Sequence, residues 1–317
     1  MRFEIVPRGR FSLAESAAFL AGWPPAAAGG THWDGHLHLG LTPDDGEAAA
    51  GVCLQQRSGV VVAEVFGPAQ TDALRRQIER IFSLDGDGDA FLAVGRRDPV
   101  VAALQARAPG FRPVNFPSPY EAAAWAVISQ RTRMPQAAAI KRRLAEQLGE
   151  TVSIHGELRS AFPSPERLRQ LHAFPGLTGQ KLERLRALAD AALAGRLDAE
   201  RLRLLPSEQA LTQMQTLPGI GPFGAELILL RGAGAPDVLP RNEPRVLCAV
   251  AQMYGLPHEP TPVEFAALAE AWRPFRTWVC VLLRRGLSPE PALPAGNHRE
   301  PAAAMGTAPG QRVLCFG

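Results

Sequence analysis

Lysine is nearly absent: Lys141 and Lys181 are the only two among 34 basic residues, so the rest of the positive charge is arginine. That leaves little scope for chemistry that needs a free amine. A high-GC genome would produce the same bias, yet arginine's planar fork also suits bidentate phosphate contacts. Cysteine is sparse as well. Cys53, Cys248, Cys280 and Cys315 are scattered with no Cys-x-x-Cys pair, which argues against a zinc ribbon or a cysteine-ligated iron–sulfur cluster. No apolar run reaches the roughly 18–20 residues that span a bilayer. The start, Met1-Arg2-Phe3-Glu4-Ile5, lacks the apolar stretch of a signal peptide. A cytoplasmic protein with no membrane partner is therefore expected. The net charge of +3 permits nucleic-acid binding without arguing for it.

With 317 residues, 46% hydrophobic and 21% charged, the chain can bury a sizeable core in two or three domains. Residues 1–92 read as a mixed α/β domain. Ser12 is a plausible N-cap for a helix over 12–20. Strands are expected at 36–42, 49–56 and 59–66, most simply as an antiparallel meander, and a helix at 71–82. Residues 93–287 read as all-helical, with helices at 97–108, 118–130, 134–149, 164–172, 179–194, 207–216, 222–233, 243–254, 262–272 and 275–286. The Pro/Ala/Gly-rich segment 288–317 is expected to be a disordered tail. The fold class is α+β, an antiparallel-sheet domain followed by a helical one.

Two metal-like patterns fail on their residues. Asp85-Gly86-Asp87-Gly88-Asp89 resembles the start of a calcium loop, but Ala90 and Arg96 stand where such a loop needs Gly and Glu. A turn is the better reading. His32, His36 and His38 lie close together, and 36 and 38 would share one strand face. Polar alternation explains them, and no metal site is expected.

The informative stretch is Leu217-Pro218-Gly219-Ile220-Gly221-Pro222-Phe223-Gly224-Ala225-Glu226. It joins two apolar helices within 211–231. Ile220 can plug the turn from inside. Glycines let the backbone approach a partner, and N–H groups at the second helix's start would then face outward as an anion site. A purely structural helix–turn–helix corner would use the same turn, but the wider pattern favours DNA-backbone binding through Pro218, Gly219, Ile220 and Gly221.

At this point the chain resembles the helix-hairpin-helix DNA glycosylase superfamily, and within it the AlkA-type 3-methyladenine enzymes, over roughly residues 1–286. Four segments carry the resemblance. They are Phe116-Pro117-Ser118-Pro119-Tyr120-Glu121 with Ile128-Ser129-Gln130; Phe174-Pro175-Gly176-Leu177-Thr178-Gly179-Gln180-Lys181; the hairpin running on to Leu239-Pro240; and Trp272-Arg273-Pro274-Phe275-Arg276. The resemblance implies flipping a damaged nucleotide out of duplex DNA and cleaving its N-glycosidic bond. It also implies base excision repair in a nucleoid-associated monomer. Electron-rich rings would stack a cationic alkylpurine. Phe223 is the leading wall candidate, followed by Trp272, Trp125, Phe275 and Trp278. Relatives that also cut the strand carry a lysine two residues after the hairpin's last glycine; Phe223 stands there, which implies a monofunctional enzyme. Gln130-Arg131 matches the region that fills the hole left by the flipped base, and Arg245 is a further DNA-contact candidate. No redox cofactor is implied, and relatives allow a monovalent cation at the hairpin carbonyls.

The pattern departs from the family at the catalytic aspartate expected after Leu-Pro. The chain reads Pro240-Arg241-Asn242-Glu243-Pro244-Arg245. One alignment puts Glu243 at that position and a shift of one puts Asn242 there. Asp237 lies upstream and reads as structural. Glu243 keeps the charge but reaches about 1.5 Å further. Pro244 suits a first helical turn, so Glu243 could equally be a helix-start carboxylate favoured by the macrodipole.

Overall fold

The computed structural model describes residues 1–26, 33–45 and 48–287; His32 and the expected tail 288–317 lie outside them. The sheet has four antiparallel strands, β1 (Arg2–Ile5), β2 (His36–Leu41), β3 (Ala50–Arg57) and β4 (Val60–Phe66), in the order β1-β4-β3-β2. The expected meander is present. β1 was not expected, because four residues show too little alternation to separate from a loop. Its partner supplies the missing signal: Arg2 pairs with Glu64 and Ile5 with Val61.

One face of the sheet is apolar. Phe3, Ile5, Leu37, Leu41, Val52, Leu54, Val61, Ala63 and Val65 pack against Leu13, Ala17 and Leu20 of helix Leu13–Ala21 and against Leu74, Ile78 and Ile81 of helix Thr71–Ile81. Ser12 caps the first of these helices, accepting from Glu15 N at 3.2 Å.

The second half is not all-helical. A hairpin, β5 (Thr151–Ile154) and β6 (Glu157–Ser160), interrupts it. His155 (φ +49°) and Gly156 (φ +88°) form its two-residue turn, the positive-φ pair that matches strand twist. His-Gly after the β-branched Thr151 and Val152 was the available signal, but each strand is one helical turn's worth of residues. The hairpin lies across the sheet's other face. A Cβ at Gly51 would meet Ile154 and one at Gly40 would meet the Ser160 backbone.

The helices otherwise fall where periodicity puts them, with short ones at Gly88–Leu92 and Ala199–Leu204 unforeseen. Two apolar clusters hold them. One centres on helix Pro119–Ser129, and the other on Arg276–Leu287 with Trp272 and Phe265. Phe91 and Val94, either side of the expected boundary at 92–93, both pack in the latter. The calcium-like segment is a turn over 85–87 that runs into helix Gly88–Leu92, and it is held from within. Buried Arg112 donates to the carbonyls of Ser83, Gly86, Arg8 and Gly9, and Asp87 caps helix Gly88–Leu92. No helix among the described residues is long and apolar enough to cross a membrane.

Candidate active site

The hairpin forms between helix Ser207–Gln215 and a helix starting at Pro222. Leu217 and Ile220 turn inward and are buried, while Pro218 and Gly221 are exposed. Gly219 sits at φ +82°, so the torsion calls for glycine, and a Cβ there would also push on the Arg184 side chain. Gln130 braces the turn: its Nε2 donates to the Gly219 carbonyl at 2.5 Å, and its Oε1 accepts from Arg184 at 2.8 Å. A cation at the hairpin would share that carbonyl with Gln130. Arg131 is exposed beside this brace at φ +49°, a region that costs a non-glycine residue energy and clusters at functional sites. Lys181 secures the same corner, donating to Ile128 O and Thr132 Oγ1, both at 2.7 Å.

The exit helix changes pitch. Pro222–Glu226 is α-helical and Leu227–Gly232 is π-wound, a widening common at functional sites. A Cβ at Gly232 would come within 2.7 Å of Pro119 Cα, so the glycine lets this helix lie against Pro119–Ser129. Phe223, 43% exposed, projects from the first turn. It lines a small cavity of about 60 Å³ with Glu226, Leu230, Pro240, Glu243 and Arg284.

Glu243 is the N-cap of helix Pro244–Tyr254. One carboxylate oxygen accepts from Arg245 N at 3.2 Å and the other from Arg284 at 3.2 Å. Asn242 does not share the cavity position. Its side chain donates to Glu226 Oε1 at 2.7 Å. Glu226 is buried and also accepts from the backbone N–H of Arg241 (2.8 Å) and Asn242 (3.0 Å). One buried carboxylate thus sets the path of the segment that ends in Glu243. Asp237 is a structural anchor, bound by Arg276 Nε at 2.9 Å and Arg273 at 3.1 Å.

Four of the aromatic candidates, Trp272, Trp125, Phe275 and Trp278, are buried in the core instead. Trp272 is fully buried (0%), its indole N–H donating to Asp98 at 2.9 Å and lying 3.2 Å from the Tyr254 hydroxyl. Phe275 packs edge-on against Phe91 and at a tilt against Trp278 in the same core, and Trp125 is buried in the central cluster. Helical spacing gives an aromatic a face, and here that face is inward. Trp272→Ala should cost about 3–5 kcal/mol of stability in chemical unfolding, while the activity per folded molecule stays near wild type. A selective loss of activity would place the ring in the site after all.

A second, larger cavity of about 410 Å³ adjoins the first, sharing Arg231, Val281 and Arg284. Its lining includes Arg107, Arg245 and Arg285, with Phe19 and Trp23. Arg231 lies under Trp23 at 4.7 Å and Phe19 at 5.6 Å. Burial, then the charge of Arg284, pulls its guanidinium down to about 9, which leaves it cationic at neutral pH. This arginine–aromatic lining has no compact sequence signal, since it gathers positions 19 to 285.

No family model matches the chain. A DNA-3-methyladenine glycosylase of Bacillus subtilis is 24% identical over 216 residues, 67% of this chain and 71% of its own length. A probable bifunctional transcriptional activator/DNA repair enzyme AlkA of Mycobacterium tuberculosis is 32% identical over 205 residues, 63% of this chain and 40% of its own. The chain thus spans about two fifths of that relative. Among solved structures, a 3-methyladenine DNA-glycosylase from Archaeoglobus fulgidus aligns with a TM-score of 0.73 over 90% of this chain and 97% of its own, at 21% identity. At that identity the likeness is one of fold.

Proposed function

We propose that this chain, a relative of the AlkA-type enzymes in the helix-hairpin-helix DNA glycosylase superfamily, is a monofunctional DNA glycosylase. It extrudes a damaged purine from duplex DNA and hydrolyses its N-glycosidic bond in base excision repair. The observation that carries the reading is that Phe223 and Glu243 line one cavity, beside a hairpin whose exposed turn suits a phosphate. The names of the relatives point to alkylated, 3-methyladenine-type purines as the substrate.

Each part has a role. In this reading the Gly219–Gly221 turn holds the DNA backbone, and the exposed Arg131 and Arg245 contact the duplex. The ring of Phe223 stacks on the extruded base. Glu243 faces the sugar and stabilises positive charge as the bond to the base breaks. Water completes the hydrolysis. Neither lysine lines the cavity with Glu243, which favours base release without strand cleavage. The hairpin, Arg131 and Glu243 come from one chain, so we read the acting form as a monomer. Methylated duplex incubated with the protein should yield free methylpurine and intact abasic strands, and borohydride should trap no covalent adduct. A chain that binds abasic DNA tightly but releases no base would instead be a lesion-binding protein of the same fold.

One observation favours a second substrate reading, a deaminated or oxidised base. An alkylpurine nucleotide is cationic, and Arg231 and Arg284 line the cavity that would receive it. Like charges in a partly dry site repel. A neutral base departs with the bond's electron pair and gains from the same guanidinium groups. The ratio of hypoxanthine release to 7-methylguanine release distinguishes the readings. Under the second, Arg284→Gln shifts that ratio toward 7-methylguanine by about tenfold, one charge contact's worth. An unchanged ratio removes the arginine from the argument.

A further inference from the structure

We propose that the outer face of the sheet is a metal site, with His36, His38 and Cys53 as ligands and His155 as the fourth, and that its ion is of the zinc class. β2 and β3 pair so that His38 stands opposite Cys53, and the two-residue period puts His36 on the same side. This face is not the solvated one that polar alternation suggests. The β5–β6 hairpin roofs it, leaving the His38 side chain 12% exposed and Cys53 buried.

The potential ligand atoms of His36, His38 and Cys53 all lie within 4.8 Å of one another, and His36 Nδ1 is 3.4 Å from Cys53 Sγ. Around tetrahedral zinc, with bonds near 2.0 and 2.3 Å, nitrogen and sulfur ligands sit about 3.6 Å apart. One pair is already at that spacing, and the others need to close by at most about 1.5 Å on the same scale. His155, at the hairpin turn, brings its ring to 5.5 Å from that of His38 and 6.4 Å from that of His36.

A packed face with one histidine–thiol contact would explain His36 but not His38. His38 Nε2 is buried with no hydrogen-bond partner, and an unpaired buried polar atom is costly. Its other nitrogen, Nδ1, lies 3.0 Å from Glu157. His155 repeats the arrangement, with Nε2 3.4 Å from Glu64. A carboxylate on one imidazole nitrogen orients the ring and frees the other for a metal. Three imidazoles and a thiol suit a borderline-soft ion, whereas magnesium or calcium would demand oxygen ligands. Bound there, the ion would tie the hairpin to the sheet, apart from the cavity that holds Glu243.

The test uses the full chain, stripped with chelator and titrated with zinc or with cobalt as a spectroscopic probe. We expect one ion per chain, tetrahedral cobalt bands with thiolate-to-metal charge transfer, and a zinc-dependent rise in Tm. Cys53→Ala should abolish the charge-transfer band. Because Cys53 is buried, two surface variants stand beside it. His155→Asn tolerates the positive φ and removes one ligand, and Glu157→Gln removes the carboxylate behind His38. Loss of the carboxylate behind His38 should weaken zinc binding at least tenfold, in the range typical of such outer partners, and loss of the His155 ligand by at least as much, with circular dichroism unchanged in both. Absence of the thiolate band, or zinc affinity equal to wild type in both surface variants, overturns the proposal.

Discussion

Replacing Glu243 by glutamine lowers single-turnover base release by about a hundredfold to a thousandfold, the scale on which one preorganised electrostatic group acts at a developing charge. Glutamine keeps the shape and can still accept from Arg245 N. It loses the negative charge that would face the sugar cation. It also loses its charge partner in Arg284, so that a guanidinium 3.2 Å away would then oppose the same cation. Affinity for an abasic duplex should change by less than a few-fold, because the hairpin, Gln130 and Arg131 are untouched. This split between rate and binding is what a merely structural N-cap would not give. Loss of a cap costs about 1 kcal/mol of stability and leaves the rate per folded molecule intact. E243D is a second arm. Its shorter reach withdraws the carboxylate by about 1.5 Å, and a shift near 1 Å can cost about a hundredfold. Full activity in E243Q would remove Glu243 from the chemistry.

The sequence made parts of this site readable because those parts are local. The hairpin is ten consecutive residues whose glycines, proline and plug each have one physical reason to be there. Phe223 and Glu243 were candidates through the family resemblance rather than through spacing, and they stand on the first turn of one helix and at the cap of the next. What was hidden depends on elements meeting from afar. Arg284 reaches Glu243 across 41 positions, and Arg231 lies beneath Trp23 and Phe19 from the other end of the chain. Periodicity can say that Trp272 and Phe275 lie on a helical face, but not that the face closes on Asp98 and Phe91. His36 and His38 read as solvated alternation for a related reason. Their cover, the hairpin at 151–160, is too short to compete with the helical pattern around it.

The same long-range logic makes Glu226→Ala the single change at the site expected to cost the most stability. Glu226 was legible only as part of the hairpin's pattern, with no hint that it holds the segment leading to Glu243. Its carboxylate takes three donors: the N–H groups of Arg241 and Asn242, and the side-chain amide of Asn242. Removing it leaves these donors facing an apolar gap beside Leu227, Leu230 and Val246. A donor left unpaired out of reach of water costs about 1–3 kcal/mol; Arg241 and Asn242 are exposed residues, so water recovers part of that. A net loss of about 2–4 kcal/mol on the same scale is expected in urea unfolding. The functional loss should exceed what unfolding explains. With 241–242 unpinned, Glu243 need move only about 1 Å to lose about a hundredfold in rate, even at temperatures where the variant is fully folded. Glu226→Gln separates the two effects. Its amide oxygen can still accept, but its NH₂ group must face one of the N–H donors, so stability and rate should both fall between wild type and the alanine variant. If Glu226→Ala loses stability yet turns over normally when folded, the 240–243 segment is not what positions the carboxylate, and helix Pro244–Tyr254 alone must hold Glu243 in place.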